Sequence, residues 1–272
     1  MNSIAELLRN SAIDAIDARV LLRTTLGVND AYLIAHAGDD VSAQHAAQFR
    51  ALVARRTAGE PVAYLVGERE FYGRTFAVSP AVLIPRPETE LLVELALERL
   101  PHNEPRRVLD LGTGSGCIAI SIALERPAAQ VTATDRSAAA LEVARTNAQR
   151  LHAGNVQWLC GDWYDAVGTA RFDLIASNPP YVAAGDAHLT QGDLRFEPAA
   201  ALMASSAGYA CLNAIIDGAR ERLTPAAWLM LEHGHDQAAA CRERLRAAGF
   251  VAVQSRRDLA GIERVSGGAC PV

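Results

Sequence analysis

The segment SNPPYV, residues 177–182, places an amide, two prolines and a phenol directly after FDLIA, a run with the apolar texture of a buried strand. Neither proline has an N–H to give to a sheet ladder, so strand pairing stops at Ser177. Beyond it, Asn178 offers its Oδ1 and Pro179 its carbonyl, and two such acceptors can take both hydrogens of one NH2 group. Pro179 and Pro180 stiffen the segment and reduce the entropy lost in forming that geometry, and Tyr181 can lie against a flat substrate group. The group that needs two acceptors and a flat wall is a planar NH2, as in a carboxamide or an aminopurine. Its nitrogen is a poor nucleophile because the lone pair is delocalised. Fixed acceptors favour a more pyramidal nitrogen and stabilise the positive charge that builds as it attacks. An activated methyl group held in line would add the benefit of proximity. A proline-bearing strand end without chemistry is the plain alternative.

A second constellation lies upstream. VLDLGTGSGC (108–117) leaves a strand through Gly112, Gly114 and Gly116, with Thr113 and Ser115 between them. Such a loop lets backbone amides approach a ligand closely at the start of the next helix. The spacing is GxGxG, without the GxGxxG of nicotinamide enzymes or the Lys-Ser/Thr of a phosphate-binding loop. Asp135 ends the following strand, where a carboxylate can accept from both ribose hydroxyls of a nucleoside. A generic turn with glycines for packing is the competing explanation; Asp135 in register after a strand favours nucleoside binding. GDW (161–163) ends the next strand: Asp162 could accept from an exocyclic amine, and Trp163 either stacks on a purine or fills the core.

Elements of alternating type must carry these residues to one place. Residues 1–58 have helical periodicity only, with Ile4, Leu7 and Leu8 at i, i+3, i+4. VAYLVG (62–67) and RTFAVS (74–79) read as two strands of a hairpin around Tyr72-Gly73, leading into LIPRPETE (83–90). From residue 88 strands and helices alternate, and the strands are rich in Val, Ile and Leu. The last strand assigned is VAVQSRRD (251–258). That pattern predicts an α/β, doubly wound, mostly parallel sheet preceded by a small helical domain. The predicted boundaries are 1–58 for the helical domain, 59–87 for a hairpin linker and 88–272 for the sheet domain.

The 272 residues are half hydrophobic and carry a net charge of −5, which counts against a non-specific nucleic-acid binder. The five cysteines are scattered without a CxxC, as expected in a reducing cytosol and for neither a disulfide framework nor a zinc site. Glu232-His233-Gly234-His235 is a weak metal pattern, and no metal is expected. MNSIAELLRN lacks the basic and apolar blocks of a signal peptide and no long apolar run follows, so a cytoplasmic protein without membrane contact is expected.

LDLGTGSG, Asp135 and NPPY together resemble S-adenosylmethionine-dependent methyltransferases that act on planar amino groups. More narrowly, LIPRPETE, GDW, SNPPYV, RFEP (195–198) and LEHG (231–234) resemble the release factor glutamine methyltransferase family, over nearly the whole chain. The resemblance implies a Rossmann-like methyltransferase domain and N5-methylation of the glutamine in the Gly-Gly-Gln motif of peptide chain release factors 1 and 2. It implies that Gly112, Thr113, Gly114, Ser115, Gly116, Asp135 and Trp163 bind S-adenosylmethionine. Asn178 would touch cofactor and substrate, and Asn178, Pro179, Pro180 and Tyr181 would hold the glutamine and carry the catalysis. The helical domain would grip the release factor, with the enzyme acting as a monomer and without nucleic acid. The related methyltransferase of a large-subunit ribosomal protein shares NPPY, but the RPETE segment favours the release-factor branch.

Two readings stay open beside it: an amino-methyltransferase of adenine or guanine in nucleic acid, which would need base flipping and a cationic surface, and a nucleoside-sensing module without turnover. Arg86, Glu88 and Glu90 serve either as helix-start charges or to shape the substrate entrance. Arg195 and Glu197 are equally undecided.

Overall fold

Ser3 starts the first helix because its hydroxyl accepts from the Glu6 amide while the Glu6 carboxylate accepts from the Ser3 amide. This reciprocal cap satisfies two amides that a helix start leaves unpaired. Helix α1 (Ile4–Arg9) is followed by α2 (Ala15–Leu26), α3 (Asp30–Ala35), α4 (Ala43–Thr57) and α5 (Val62–Val66). Leu7, Leu21, Leu22, Leu33 and Phe49 form a core of their own within this group. The structure, a computed structural model, describes residues 2–190 and 192–272. Two compact units emerge: Met1–Glu68 with Thr190–Phe196, and Arg69–Leu189 with Glu197–Val272. Within the first unit Arg56 bridges Asp17 at 2.7 Å and Asp193 at 2.8 Å.

VAYLVG is a helix and not the expected strand. Its valines and aromatic suit a strand, but Val62, Leu65 and Val66 pack onto the helical core, and burial of that face overrides local preference. The hairpin is β1 (Glu68–Phe71) and β2 (Arg74–Ala77), turned at Tyr72-Gly73 with φ of 51° and 68°, as a two-residue hairpin turn requires.

The second unit contains, in chain order, the turn Pro87–Thr89, α6 (Glu90–Arg99), β3 (Arg107–Leu111), α7 (Cys117–Glu125), β4 (Gln130–Asp135), α8 (Ala138–Leu151), β5 (Val156–Cys160) and β6 (Phe172–Ser177). There follow β7 (Val182–Ala183), α9 (Ala199–Leu202), β8 (Met203–Ala204), α10 (Ala210–Arg222), β9 (Leu223–Glu232), α11 (Ala238–Ala247), β10 (Val251–Arg257) and β11 (Glu263–Ala269). Seven strands form one sheet in the order β10-β11-β9-β6-β3-β4-β5. The pairs among β9, β6, β3, β4 and β5 are parallel, whereas β11 runs antiparallel to both its neighbours. Alternate residues of β3 explain the layering. Val108 joins the cluster that holds α6 and α7, while Leu109 and Leu111 join the cluster that holds α10 and α11. Both faces of the sheet are therefore covered, as a doubly wound fold requires.

Strand β11 lies beyond the last strand expected from sequence. Its run ERVSGGA carries two glycines, which argue against a strand by propensity. The packing demands them: a Cβ on Gly267 would lie 2.6 Å from the Leu229 carbonyl oxygen, and one on Gly268 2.9 Å from Phe250 Cβ. Gly267→Ala should therefore lower the unfolding free energy by about 1–3 kcal/mol. Chemical denaturation of the purified variant checks this; an unchanged midpoint would remove β11 from its position against β9.

Candidate active site

Parallel pairing brings the expected residues to one edge. Leu111 of β3 stands opposite Thr134 of β4 and Ser177 of β6, and Ser177 stands opposite Leu231 of β9. The glycine loop, Asp135, Asn178 and Glu232 consequently leave adjacent strands at the same level. Ligands of open α/β sheets bind outside this carboxyl edge.

A buried acid organises the loop. Asp110 Oδ2 accepts from Thr113 Oγ1 at 2.6 Å and from the Ala119 amide at 3.2 Å. The Thr113 amide in turn donates to the Thr134 carbonyl at 2.9 Å. Gly112, Gly114 and Gly116 have φ of 70°, 54° and 81°, a region that excludes most side chains. Gly114 faces open space, whereas a Cβ on Gly116 would stand 2.9 Å from Ile120 Cδ1 and 3.1 Å from Ala144 Cβ. Gly116 is thus a packing position at the start of α7, and Gly114 lines the cleft. Asn147, fully buried on α8, exchanges hydrogen bonds with both the amide and the carbonyl of Ala77 and donates to the Ser115 carbonyl at 2.9 Å. It ties the loop to β2.

Asp135 accepts the Gly114 amide on Oδ2 at 2.9 Å and the Ser137 amide on Oδ1 at 2.8 Å. Each oxygen keeps one lone pair, enough for two ligand hydroxyls. A cleft of about 200 Å³ is lined by Gly112, Thr113, Gly114, Ser115, Asp135, Asp162, Trp163, Asn178 and Pro180. Trp163, at φ 41°, lines this cleft and also packs against the core cluster that holds α10. Pro179 and Tyr181 do not line the cleft. The Tyr181 side chain turns toward Glu232, and the Tyr181 carbonyl accepts from Gln237 Nε2 at 3.2 Å. His233 is occupied by the Gly234 carbonyl and by Ser266 Oγ at 2.8 Å. Among the described residues no cluster of His, Cys, Asp and Glu could hold a metal ion, and no helix is long and apolar enough to cross a membrane.

Four contacts join segments that sequence reasoning left unconnected. Arg86 pairs with the buried Glu197 at 2.5 Å, and the other Glu197 oxygen accepts the Ile84 amide at 3.0 Å. Glu90 accepts the Tyr72 amide at 2.8 Å. Asn178 Nδ2 donates to Thr89 Oγ1 at 3.1 Å. Opposite charges in RPETE and RFEP were the available signal for the first of these, but nothing in the sequence pairs Thr89 with Asn178.

The family match follows this geometry. Residues 1–67 match the PrmC N-terminal domain and residues 88–211 the methyltransferase small domain. A release factor glutamine methyltransferase of Bordetella pertussis is 56% identical over 269 residues, covering 98% of this chain and 99% of its own. The chain belongs to the release factor glutamine methyltransferase family. A second member of that family, from Burkholderia pseudomallei, is 53% identical over 273 residues, covering 98% of this chain and 96% of its own. A solved methyltransferase of Pyrococcus furiosus shares the fold at TM-score 0.57 and 20% identity, over 80% of this chain and 98% of its own.

Burial raises the Asp110 carboxyl to about 7, against the pull of Thr113 and the Ala119 amide, and its Oδ1 has no partner among the described residues. Below its usual range the acid is protonated folded or unfolded. Between that range and about pH 7 only the folded state holds the proton, so this group's contribution to stability falls as pH rises. Asp110→Asn removes that slope. Relative to the parent, the variant should gain on the order of 1–3 kcal/mol of stability between pH 5 and pH 8. Denaturation at the two pH values measures it, and a pH-independent difference would contradict a carboxyl perturbed this far.

Proposed function

We propose that this chain transfers a methyl group from S-adenosylmethionine to the side-chain amide N5 of the glutamine in the Gly-Gly-Gln motif of peptide chain release factors 1 and 2. The observation that carries the reading is the shared cleft. A glycine loop and an acid with free lone pairs line one part of it, and Asn178 and Pro180 line another. The named activity of relatives at 56% and 53% identity supports the choice of substrate.

The residues fit a nucleoside-bearing sulfonium cofactor. Gly114 leaves space beside its backbone, Asp135 has two lone pairs for ribose hydroxyls, and Trp163 offers an aromatic face in the same cleft. When bound, S-adenosylmethionine supplies an activated methyl group. Gly112, Thr113, Gly114 and Ser115 cradle it by backbone, and Gly116 fixes the helix start behind them. Asn178 Oδ1 takes one hydrogen of the glutamine NH2; the Pro179 carbonyl, which has to turn to the cleft to do so, takes the other, and together they stabilise positive charge on nitrogen. Pro180 narrows the cleft, and Tyr181 braces the loop from behind. An N-methylated amide nitrogen that still bears its extra proton is strongly acidic, so its proton leaves without a dedicated base. Residues 1–58 recognise the release factor, residues 59–87 link, and residues 88–272 carry the transfer. The enzyme works as a monomer in the cytoplasm and needs neither metal nor nucleic acid.

Incubation with labelled S-adenosylmethionine, release factors, the large-subunit ribosomal protein and RNA tests the substrate. Label should appear in the release factor; label in RNA or ribosomal protein alone would sink the reading. Asn178→Ala should reduce kcat by about 10²–10³-fold while the Kd for S-adenosylmethionine, from calorimetry, changes by about 3-fold or less.

A further inference from the structure

The Asn178 amide can face the cleft in two ways. With Oδ1 outward it accepts from a substrate NH2; with Nδ2 outward it repels one. Two residues not assigned above to cofactor or substrate bear on that choice, and the first of them lines the same cleft. Thr89 is 2% exposed and ends the turn Pro87–Thr89; its Oγ1 accepts from Asn178 Nδ2 at 3.1 Å. Glu232 is 1% exposed and ends β9. Since Ser177 and Leu231 are register partners, Asn178 and Glu232 are the next residues of neighbouring strands. Glu232 Oε2 is buried without a hydrogen-bond partner among the described residues, and the hydroxyls of Thr89 and Tyr181 are the donors beside its carboxyl, with Glu88 and Arg264 nearby.

A hydroxyl has one hydrogen and two lone pairs. When Thr89 gives its hydrogen to Glu232, it has only lone pairs left to offer Asn178, and these accept from Nδ2. The flipped amide would set Oδ1 against those lone pairs and bury an unsatisfied acceptor. An ionised Glu232 carboxylate only accepts, and this sets the direction of the chain. From this we infer that Thr89 and Glu232 are positioning residues: the chain Asn178 Nδ2–H to Thr89 O–H to Glu232 fixes the amide with Oδ1 toward the cleft. The Tyr181 hydroxyl stands beside the same carboxyl.

This inference rests on the methyl-transfer reading, and the experiment separates the two. Parent enzyme that does not methylate release factor removes that reading; the variants below are compared with an active parent. Thr89→Val keeps shape and removes the hydroxyl, and Glu232→Leu removes the acceptor. Each should lower kcat by about 30-fold or more, with the KM for release factor and the Kd for S-adenosylmethionine within about 3-fold of the parent. Thr89→Ser and Glu232→Gln keep the hydroxyl and the accepting oxygen, and should stay within about 5-fold of the parent. The double variant Thr89→Val/Glu232→Leu should be no more than about 3-fold slower than Thr89→Val alone, because one chain is broken either way. Thr89→Val at the parent rate, Thr89→Ser as slow as Thr89→Val, or single losses that multiply in the double variant would each overturn the inference. If Glu232→Leu does not fold, Thr89→Val against Thr89→Ser decides it.

Discussion

Hydrogen-bond register among parallel strands is the constraint on which the site depends. A parallel ladder fixes not only which strands are neighbours but the level at which each ends. Here β3, β4, β6 and β9 end within a residue of one another. Four unrelated loops therefore begin on one line: the glycine loop, Asp135, NPPY and the Glu232 turn. A register slip of one residue would turn each strand's side chains to the opposite face. Cover on both faces excludes that slip, because Val108 belongs to one core and Leu109 to the other. Packing far from the cleft thus sets the alignment inside it.

The second requirement is polar order in places water does not reach. Asp110 and Glu232 are both buried carboxyls, raised to about 7 by burial. Such groups cost stability unless neighbours satisfy them. Asp110 nevertheless directs hydrogen bonds that an apolar side chain could not. Asp110 joins Thr113 to the first turn of α7, and Glu232 stands behind both ends of NPPY. Asn147 performs the neutral version of the same task between β2 and Ser115. The groups that hold the glycine loop and Asp135 are paired before any ligand arrives, which is the preorganisation that transfer to a weak nucleophile requires.

Much of this was legible in the sequence because the signals are local. Positive-φ glycines after an apolar run, an acid at the next strand tip, and prolines that stop a ladder each follow from the backbone alone. The parallel order of the sheet followed from alternation. What was not legible depended on distant partners. VAYLVG has the composition of a strand, and only the helical core beside Val62 and Leu65 makes it a helix. The glycines of β11 look like breakers until Leu229 and Phe250 are placed against them. Thr89 and Glu232 sit in segments whose resemblance was clear but whose chemistry was not, since their partners lie in segments far along the chain. Trp163 is an intermediate case, at once a cleft residue and a core contact.

The turn at residues 84–90 holds Asn178 through Thr89 and Glu197 through Arg86 and the Ile84 amide. Both ends of the segment 178–197 are thus fastened to one short piece of chain. In polymer terms that segment is a closed ring. For a ring the cost of closure rises only as the logarithm of its contour, about 0.6 kcal/mol per doubling. Breaking either fastening would release one end of that ring and restore the freedom its closure removes.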